Sequence, residues 1–272
     1  MAAVGSSLCG AVIAYEGFDT ATYTDGDTIN GLNGGTGWTS NWTVDLSANA
    51  NNANRYQGSS SSMGYSDGTE SLVTDSGSMG AAAAGSGGGP LRRTFTATTG
   101  TVWFSLLSVM TTDTSWNWEL GLEGSSEGQE VGIQNYSSDS IYRLNINETP
   151  NNMPGVDPYD DPSDGVSAAL LVGRIQNAGS GSADGTVDVW INPTDITDPT
   201  AGAAASGSVT GATLPTLSSF FFDKGATPEG FIDEIRIGTT MADVTPVPEP
   251  SLMGLLAGMA ALGLVVRYRR RG

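Results

Sequence analysis

Apolar and polar residues alternate along several short stretches of this chain, and the period is two. In Asn117-Trp118-Glu119-Leu120-Gly121-Leu122-Glu123, the residues Trp118, Leu120 and Leu122 share one parity and both glutamates the other. Val131 and Ile133 continue this apolar set, and Tyr142, Leu144 and Ile146 form another. Successive side chains of a strand point to opposite faces, so this pattern predicts strands with one buried face. Thr101 to Met110 is apolar on both parities, as a central strand is. Ala168 to Ile175, Thr186 to Ile191, Ser219 to Phe222 and Phe231 to Ile237 complete the predicted strands. Clusters of Gly, Asn and Asp separate them, and no long amphipathic helical period occurs before the last 26 residues. Residues 15–245 therefore read as one all-β domain of about 230 residues, a common size for a large β-sandwich. Residues 76–90 and 147–165 read as irregular loops, the first low in complexity and the second rich in Pro and Asp.

The alternating pattern stops at the C-terminus. Val247-Pro248-Glu249-Pro250 is followed by an uncharged apolar run from Ser251 to Val266, then by Arg267-Tyr268-Arg269-Arg270-Arg271-Gly272. Crossing a bilayer takes about 20 apolar residues. This run has 16, and flanking Tyr and Arg side chains extend it by snorkelling. It shows no polar face, unlike a helix packed on a soluble core. The run predicts a short transmembrane helix, with Arg267, Arg269, Arg270 and Arg271 as a cytoplasmic stop and the larger part of the chain outside. Pro248 and Pro250 keep the preceding segment extended.

This order of motif, apolar helix and basic end resembles the PEP-CTERM sorting signal of exported proteins in Gram-negative, exopolysaccharide-making bacteria. The resemblance implies that an exosortase recognises Val247, Pro248, Glu249 and Pro250 and removes or exchanges the tail (246–272). It makes the chain an inner-membrane single-pass precursor destined for the cell surface or the extracellular matrix.

Composition fits export. The one cysteine cannot form a disulfide within the chain, histidine is absent, and the net charge is −18. Four of the 11 bases lie in the last six residues, which leaves seven bases against 29 acids elsewhere. Such a surface repels nucleic acid, so no nucleic-acid partner is expected. Residues 1–14 (MAAVGSSLCGAVIA) end like a secretory signal peptide cleaved before Tyr15, but no base precedes Arg55. Either the signal is atypical or the true start lies upstream; the second reading is preferred, making 1–14 a signal remnant.

Tyr15-Glu16-Gly17-Phe18-Asp19, Asn33-Gly34-Gly35-Thr36-Gly37-Trp38, Trp190-Ile191-Asn192-Pro193 and Phe231-Ile232-Asp233-Glu234-Ile235-Arg236-Ile237-Gly238 are similar to segments of exported bacterial proteins with a concanavalin A-like, or LamG-like, jelly roll before such a tail. This resemblance implies a two-sheet antiparallel jelly-roll sandwich over 15–245, with its first and last strands close in space. It also implies a tight turn at the Asn33–Gly37 glycines, with Trp38 and Trp42 at its base.

Jelly rolls host enzymes, lectins and inert modules alike, so function must come from the site. Glu119 and Glu123 share one face but stand about 13–14 Å apart along the strand, too far for a glycosidase pair without a third group between them. The Glu-x-Asp-x-x-Glu pattern of laminarinase-type jelly rolls is broken, because Gly121 stands where its Asp belongs. Without histidine there is no Ser-His-Asp triad or His metal ligand. No catalytic residue is assigned, and the domain is expected to be non-catalytic. For ligands, Trp38, Trp42 and Trp116 are candidates to stack on sugar rings, which makes extracellular polysaccharide a candidate partner. Asp157, Asp160, Asp161 and Asp164 are calcium candidates within one loop; Asp25 with Asp27 and Asp184 with Asp188 form smaller clusters. No other cofactor is expected. Asp233-Glu234 reads as structural, with Arg236 or Arg174 as partner. The reading is thus an exported surface or matrix protein with a non-catalytic, candidate glycan-binding domain. The alternatives are an unusual glycosidase or lyase on the same fold, and a calcium-dependent lectin or adhesin.

Overall fold

The computed structural model of the chain describes residues 10–45, 56–61, 63–81, 89–110, 118–126, 128–136, 141–153, 168–202, 204–224 and 230–246. They build two antiparallel sheets, an arrangement consistent with a jelly-roll sandwich. The first sheet runs β13 (Gly207–Ala212), β12 (Gly185–Ile191), β11 (Ala169–Ala178), β6 (Gly100–Met110), β15 (Gly230–Gly238), β4 (Ser78–Ala81), β3 (Tyr56–Ser59), with β1 (Val12–Glu16) also on β15. The second runs β10 (Thr149–Asn152), β9 (Ile141–Ile146), β8 (Glu130–Tyr136), β7 (Trp118–Glu123), β14 (Leu217–Lys224), β5 (Leu91–Thr98), β2 (Thr43–Val44). The helices among the described residues are two single turns, α1 (Pro199–Gly202) and α2 (Met241–Val244). None is long and apolar enough to cross a membrane. The tail from Val247 to Gly272, with its sorting motif and arginines, lies outside the described residues.

Alternation sets what lies between the sheets. Phe104 and Leu106 of β6, Leu171 and Ile175 of β11, and Ile235 and Ile237 of β15 meet Leu120 and Leu122 of β7, Ile133 of β8, Leu144 of β9, and Phe220 and Phe222 of β14. Trp118, Leu120 and Leu122 are buried, as their parity predicts. β6, apolar on both parities, is paired on both sides, by β11 and β15. Its other parity, Trp103 and Leu107, joins Leu170, Val172 and Trp190 in a second cluster on the outside of the first sheet. Leu72, Ile196 and Val244, from outside the strands, pack over that cluster. Trp103 and Trp190 stack there at 6.0 Å, 15° from parallel. This apolar part of the first sheet's outer face is thus covered by the chain itself.

The chain's first and last strands pair, Val12 opposite Gly238 and Glu16 opposite Ile235. The folded unit therefore begins before the expected boundary at Tyr15. Ala14 has no solvent contact, Ile13 packs on the core, and the amide of Ala11 donates to Thr239 Oγ1 at 3.0 Å. Two stretches read as irregular contain strand. Ser78–Ala81 pairs with both β15 and β3, and Thr149–Asn152 with β9.

The Asn33–Gly37 segment lies against β1, with Tyr15 and Thr36 exchanging backbone hydrogen bonds at 2.9 Å. Gly35 (φ 62°) and Gly37 (φ 79°) are required by this approach. A Cβ would stand 2.1 Å from Tyr15 O at the first and 2.0 Å from Ile13 O at the second. Glu234 (φ 54°) sits in a bulge of β15 against β6. Its carboxylate takes Arg236 Nη2 at 2.6 Å and the Asp75 amide at 2.5 Å. Arg174 goes instead to Asp188 at 2.7 Å.

Candidate functional site

The outer face of the second sheet is polar, and strand register orders it into three rows. The first holds Asp223, Glu119, Gln134 and Arg143. The middle row holds Arg92, Phe221, Gly121, Gly132 and Asn145. In the third, Thr94, Ser219, Glu123 and Glu130 follow one another. Each residue lies out of phase with the buried set on its own strand, so the alternation that builds the core also builds this face.

Two adjacent glycines shape its centre. At Gly132 a Cβ would stand 2.5 Å from Glu119 Oε1 and 3.1 Å from the Phe221 ring. Its absence lets the Glu119 carboxylate fold across β8 toward β9. There Asn145 Nδ2 donates to Glu119 Oε1 at 2.7 Å and to Glu130 Oε1 at 2.8 Å. One amide nitrogen thus spans two carboxylates from neighbouring strands. Asn145 is only 6% exposed, and its Oδ1 has no hydrogen-bond partner among the described residues. Burial pushes the Glu119 carboxyl up to about 7, and the charge of Glu130 adds to the push against the pull of Asn145. Burial raises Glu130 as well, with the charges of Glu148 and Glu123 adding to it.

Beside this pair runs a groove of about 490 Å³ lined by Thr43, Asp45, Arg92, Thr94, Glu123 and Ser219, among others. Its floor is tied together. Arg92 Nε and the Ser219 hydroxyl both donate to Glu123 Oε1, at 2.8 and 2.9 Å. Glu123 is 7% exposed, so it is a buried partner of Arg92 and not the solvated residue its parity suggests.

The sequence-predicted ligand residues are not gathered here. Trp42 has no solvent contact. Its indole N–H donates to Tyr23 Oη at 3.1 Å, and its ring lies 5.2 Å from the Arg93 guanidinium. Trp38 is half-buried, 4.9 Å from the same guanidinium, and donates to Tyr15 O at 2.9 Å. Both indoles hold Arg93, and no described tryptophan is exposed. Trp116 and the calcium candidates Asp157, Asp160, Asp161 and Asp164 lie outside the described residues. Among the described residues no group of three or more Asp, Glu, Cys or His is placed to hold a metal. Asp25 accepts the Ser60 amide at 3.2 Å, and Asp184 accepts the Ser180 hydroxyl at 2.7 Å.

Glu130 and Asn145 were missed in the sequence, although a signal exists for the first. Glu130, Gly132 and Gln134 occupy the parity opposite Val131 and Ile133. That Glu130 lies directly across from Glu123, and two rows from Glu119, is a matter of register between strands.

No protein-family model matches the chain, and no curated protein does. Among solved structures it is similar to the PL-14 alginate lyase of Aplysia kurodai, at 10% identity over 65% of this chain and 89% of that one, with a TM-score of 0.42. It is also similar to the cellulose-induced protein Cip1, at 13% identity over 83% and 97% of the two chains, with a TM-score of 0.41. The binding domain of botulinum neurotoxin serotype D matches at 11% identity over 86% of this chain and 50% of that one, with a TM-score of 0.46. These likenesses are distant, and the site is read from its own geometry.

Proposed function

We propose that this chain is an exported, exosortase-sorted surface or matrix protein whose concanavalin A-like jelly roll binds glycan across the outer face of its second sheet. The observation that carries the binding reading is the polar face itself. It offers a groove of ligand size, a wall of hydroxyls from Thr43, Thr94 and Ser219, and fixed acceptors and donors in Glu123, Arg92 and Asn145. Sugar hydroxyls donate and accept together, and such a mixed, pre-ordered set suits them. On the opposite sheet Leu72, Ile196 and Val244 pack over the apolar outer cluster of Trp103, Leu107 and Trp190. The order of Val247-Pro248-Glu249-Pro250, the apolar run and the terminal arginines supports sorting at the membrane.

The test is a glycan array with the purified full chain in detergent, followed by affinity electrophoresis on each polysaccharide that scores. Wild-type protein is expected to be retarded, and the Ser219→Ala, Thr94→Ala double variant less so. Wild-type protein that binds no glycan removes the reading.

A further inference from the structure

One end of the sandwich carries a hollow that lies outside the sheet-face groove. Hairpins β7–β8, β9–β10 and β11–β12 meet there with the connection from β13 to β14. The hollow measures about 510 Å³, close to the 490 Å³ of the groove, and both are of ligand size. Its walls come from both sheets, Gln129 and Asn147 from hairpins of the second and Gly179 from a hairpin of the first.

These walls are fixed to one another. The Gly179 amide donates to Leu214 O at 3.1 Å, and Asn147 Nδ2 donates to Thr213 O at 2.9 Å. Segment 213–214 is thus gripped from both sheets at once. Leu214 is 2% exposed and its side chain belongs to the core, which anchors the segment from below. A site ordered before its ligand arrives loses less entropy on binding.

The lining selects a ligand. The chain carries 29 acids and 11 bases, yet no described lining residue of the hollow is charged. An ion would give up water there and meet no counter-charge. The walls offer the Thr213 and Thr216 hydroxyls, the Gln129 and Asn147 amides and the apolar ring of Pro215. Hydroxyls and primary amides donate and accept together, as sugar hydroxyls do, and Pro215 suits the C–H face of a sugar ring.

The hollow and the groove adjoin. Gly124 lines the groove, and Gln129 and Pro215 line the hollow. A Cβ on Gly124 would stand 2.9 Å from both Gln129 Oε1 and Pro215 Cβ. Close by, Thr216 lines the hollow while Ser218 lines the groove, and two residues of extended chain span only about 7 Å.

We propose that the groove and the end hollow are two subsites for one chain of a neutral polysaccharide, so that a long chain is held at both and a short one at either. The proposal rests on the glycan-binding reading and extends its site past the sheet face. A chain seated in the first subsite reaches the second intramolecularly, and linked contacts of this kind raise affinity about 10²–10⁴-fold.

The experiment titrates the full chain in detergent with cello-, laminari-, manno- and xylo-oligosaccharides, from disaccharide to hexasaccharide, by isothermal calorimetry. In one series affinity is expected to climb with length, the hexasaccharide binding at least about a hundredfold tighter than the disaccharide. Thr213→Trp fills the hollow with an indole. It is expected to bring the hexasaccharide down to the affinity of the disaccharide, while the disaccharide still binds in the groove. Gln129→Ala, on an exposed side chain, is expected to weaken the hexasaccharide alone. The Ser219→Ala, Thr94→Ala double variant is expected to weaken long and short chains together. Wild-type protein that binds a neutral series with equal affinity at every length, or that binds charged glycans only, overturns the proposal and leaves the binding reading standing. A length gain that survives both Thr213→Trp and Gln129→Ala also overturns it. Wild-type protein that binds no glycan of any kind removes both readings.

Discussion

Arg93 and Glu16 pair across the two sheets, one from β5 and the other from β1, with neither exposed to solvent. Arg93 also donates to Gly34 O at 2.8 Å and to Ser40 O at 3.1 Å. Tyr23 Oη donates to Glu16 Oε2 at 2.6 Å, and the Phe18 amide donates to Glu16 Oε1 at 3.1 Å. The guanidinium faces the rings of Trp38 and Trp42. The pair fastens the first strand of the chain to the opposite sheet.

Arg93→Met leaves Glu16 buried without its counter-charge and is expected to cost about 3–5 kcal/mol. The double replacement Arg93→Met, Glu16→Met removes both charges and is expected to cost clearly less. Urea denaturation followed by tryptophan fluorescence measures both. Equal losses for single and double variants would show that the pairing does not govern stability here.

Asp233 gives stability a pH dependence of unusual sign for a carboxyl group. It has no solvent contact, its Oδ2 lacks a hydrogen-bond partner among the described residues, and burial pushes its carboxyl up to about 8 from an ordinary 3.8, with the charge of Glu234 adding to the shift. Below 3.8 the group is protonated in both folded and unfolded chains and costs nothing. Between there and about 8 the unfolded chain releases a proton that the folded one retains, so stability falls as pH rises. Urea midpoints at pH 5, 6, 7 and 8 are expected to decline, and Asp233→Asn to flatten the decline. A wild-type profile unchanged by the substitution would assign the slope elsewhere.

Gly132→Ala tests the geometry of the polar face separately from its chemistry. The new methyl group takes the space of Glu119 Oε1 and forces that carboxylate off Asn145. Overpacking of this kind costs about 1–3 kcal/mol. Freed toward water, Glu119 is expected to titrate below the value of about 7 that it holds in the wild-type fold. A carboxyl-detected NMR titration reads the change, and an unshifted Glu119 would mean that the glycine is not what admits it.

The proposed membrane tether is tested by deleting residues 251–272. The shortened protein is expected in the soluble exported fraction, and the full chain is expected to sediment with the inner membrane. Unchanged sedimentation would remove the tail as anchor.

Strands with a clean apolar parity were legible in the sequence. β7, β8 and β15 lie where Trp118, Ile133 and Ile235 place them. β5 was not legible, because its inward set is Leu91, Arg93 and Phe95, and a charge at the middle position breaks the pattern. Only Glu16, 77 residues away in sequence, makes that charge tolerable inside. Sequence separation also hid the fate of Trp38 and Trp42, which were candidates to stack on sugar rings and which face Arg93 instead. At the candidate site, Glu119 and Glu123 were visible as a shared face. Their neighbours were not, since Glu130 and Asn145 arrive by register from the next two strands.

The antiparallel pairing of Val12 with Gly238 has a mechanical consequence. A chain held by its C-terminal end transmits tension through Pro246 and α2, whose Val244 is buried, to β15. That strand is not peripheral: β6 flanks it along one side, and β1 and β4 succeed one another along the other. Hydrodynamic drag on a displayed domain would therefore be borne in shear by hydrogen bonds on both flanks at once, and not by unzipping one ladder from its free border.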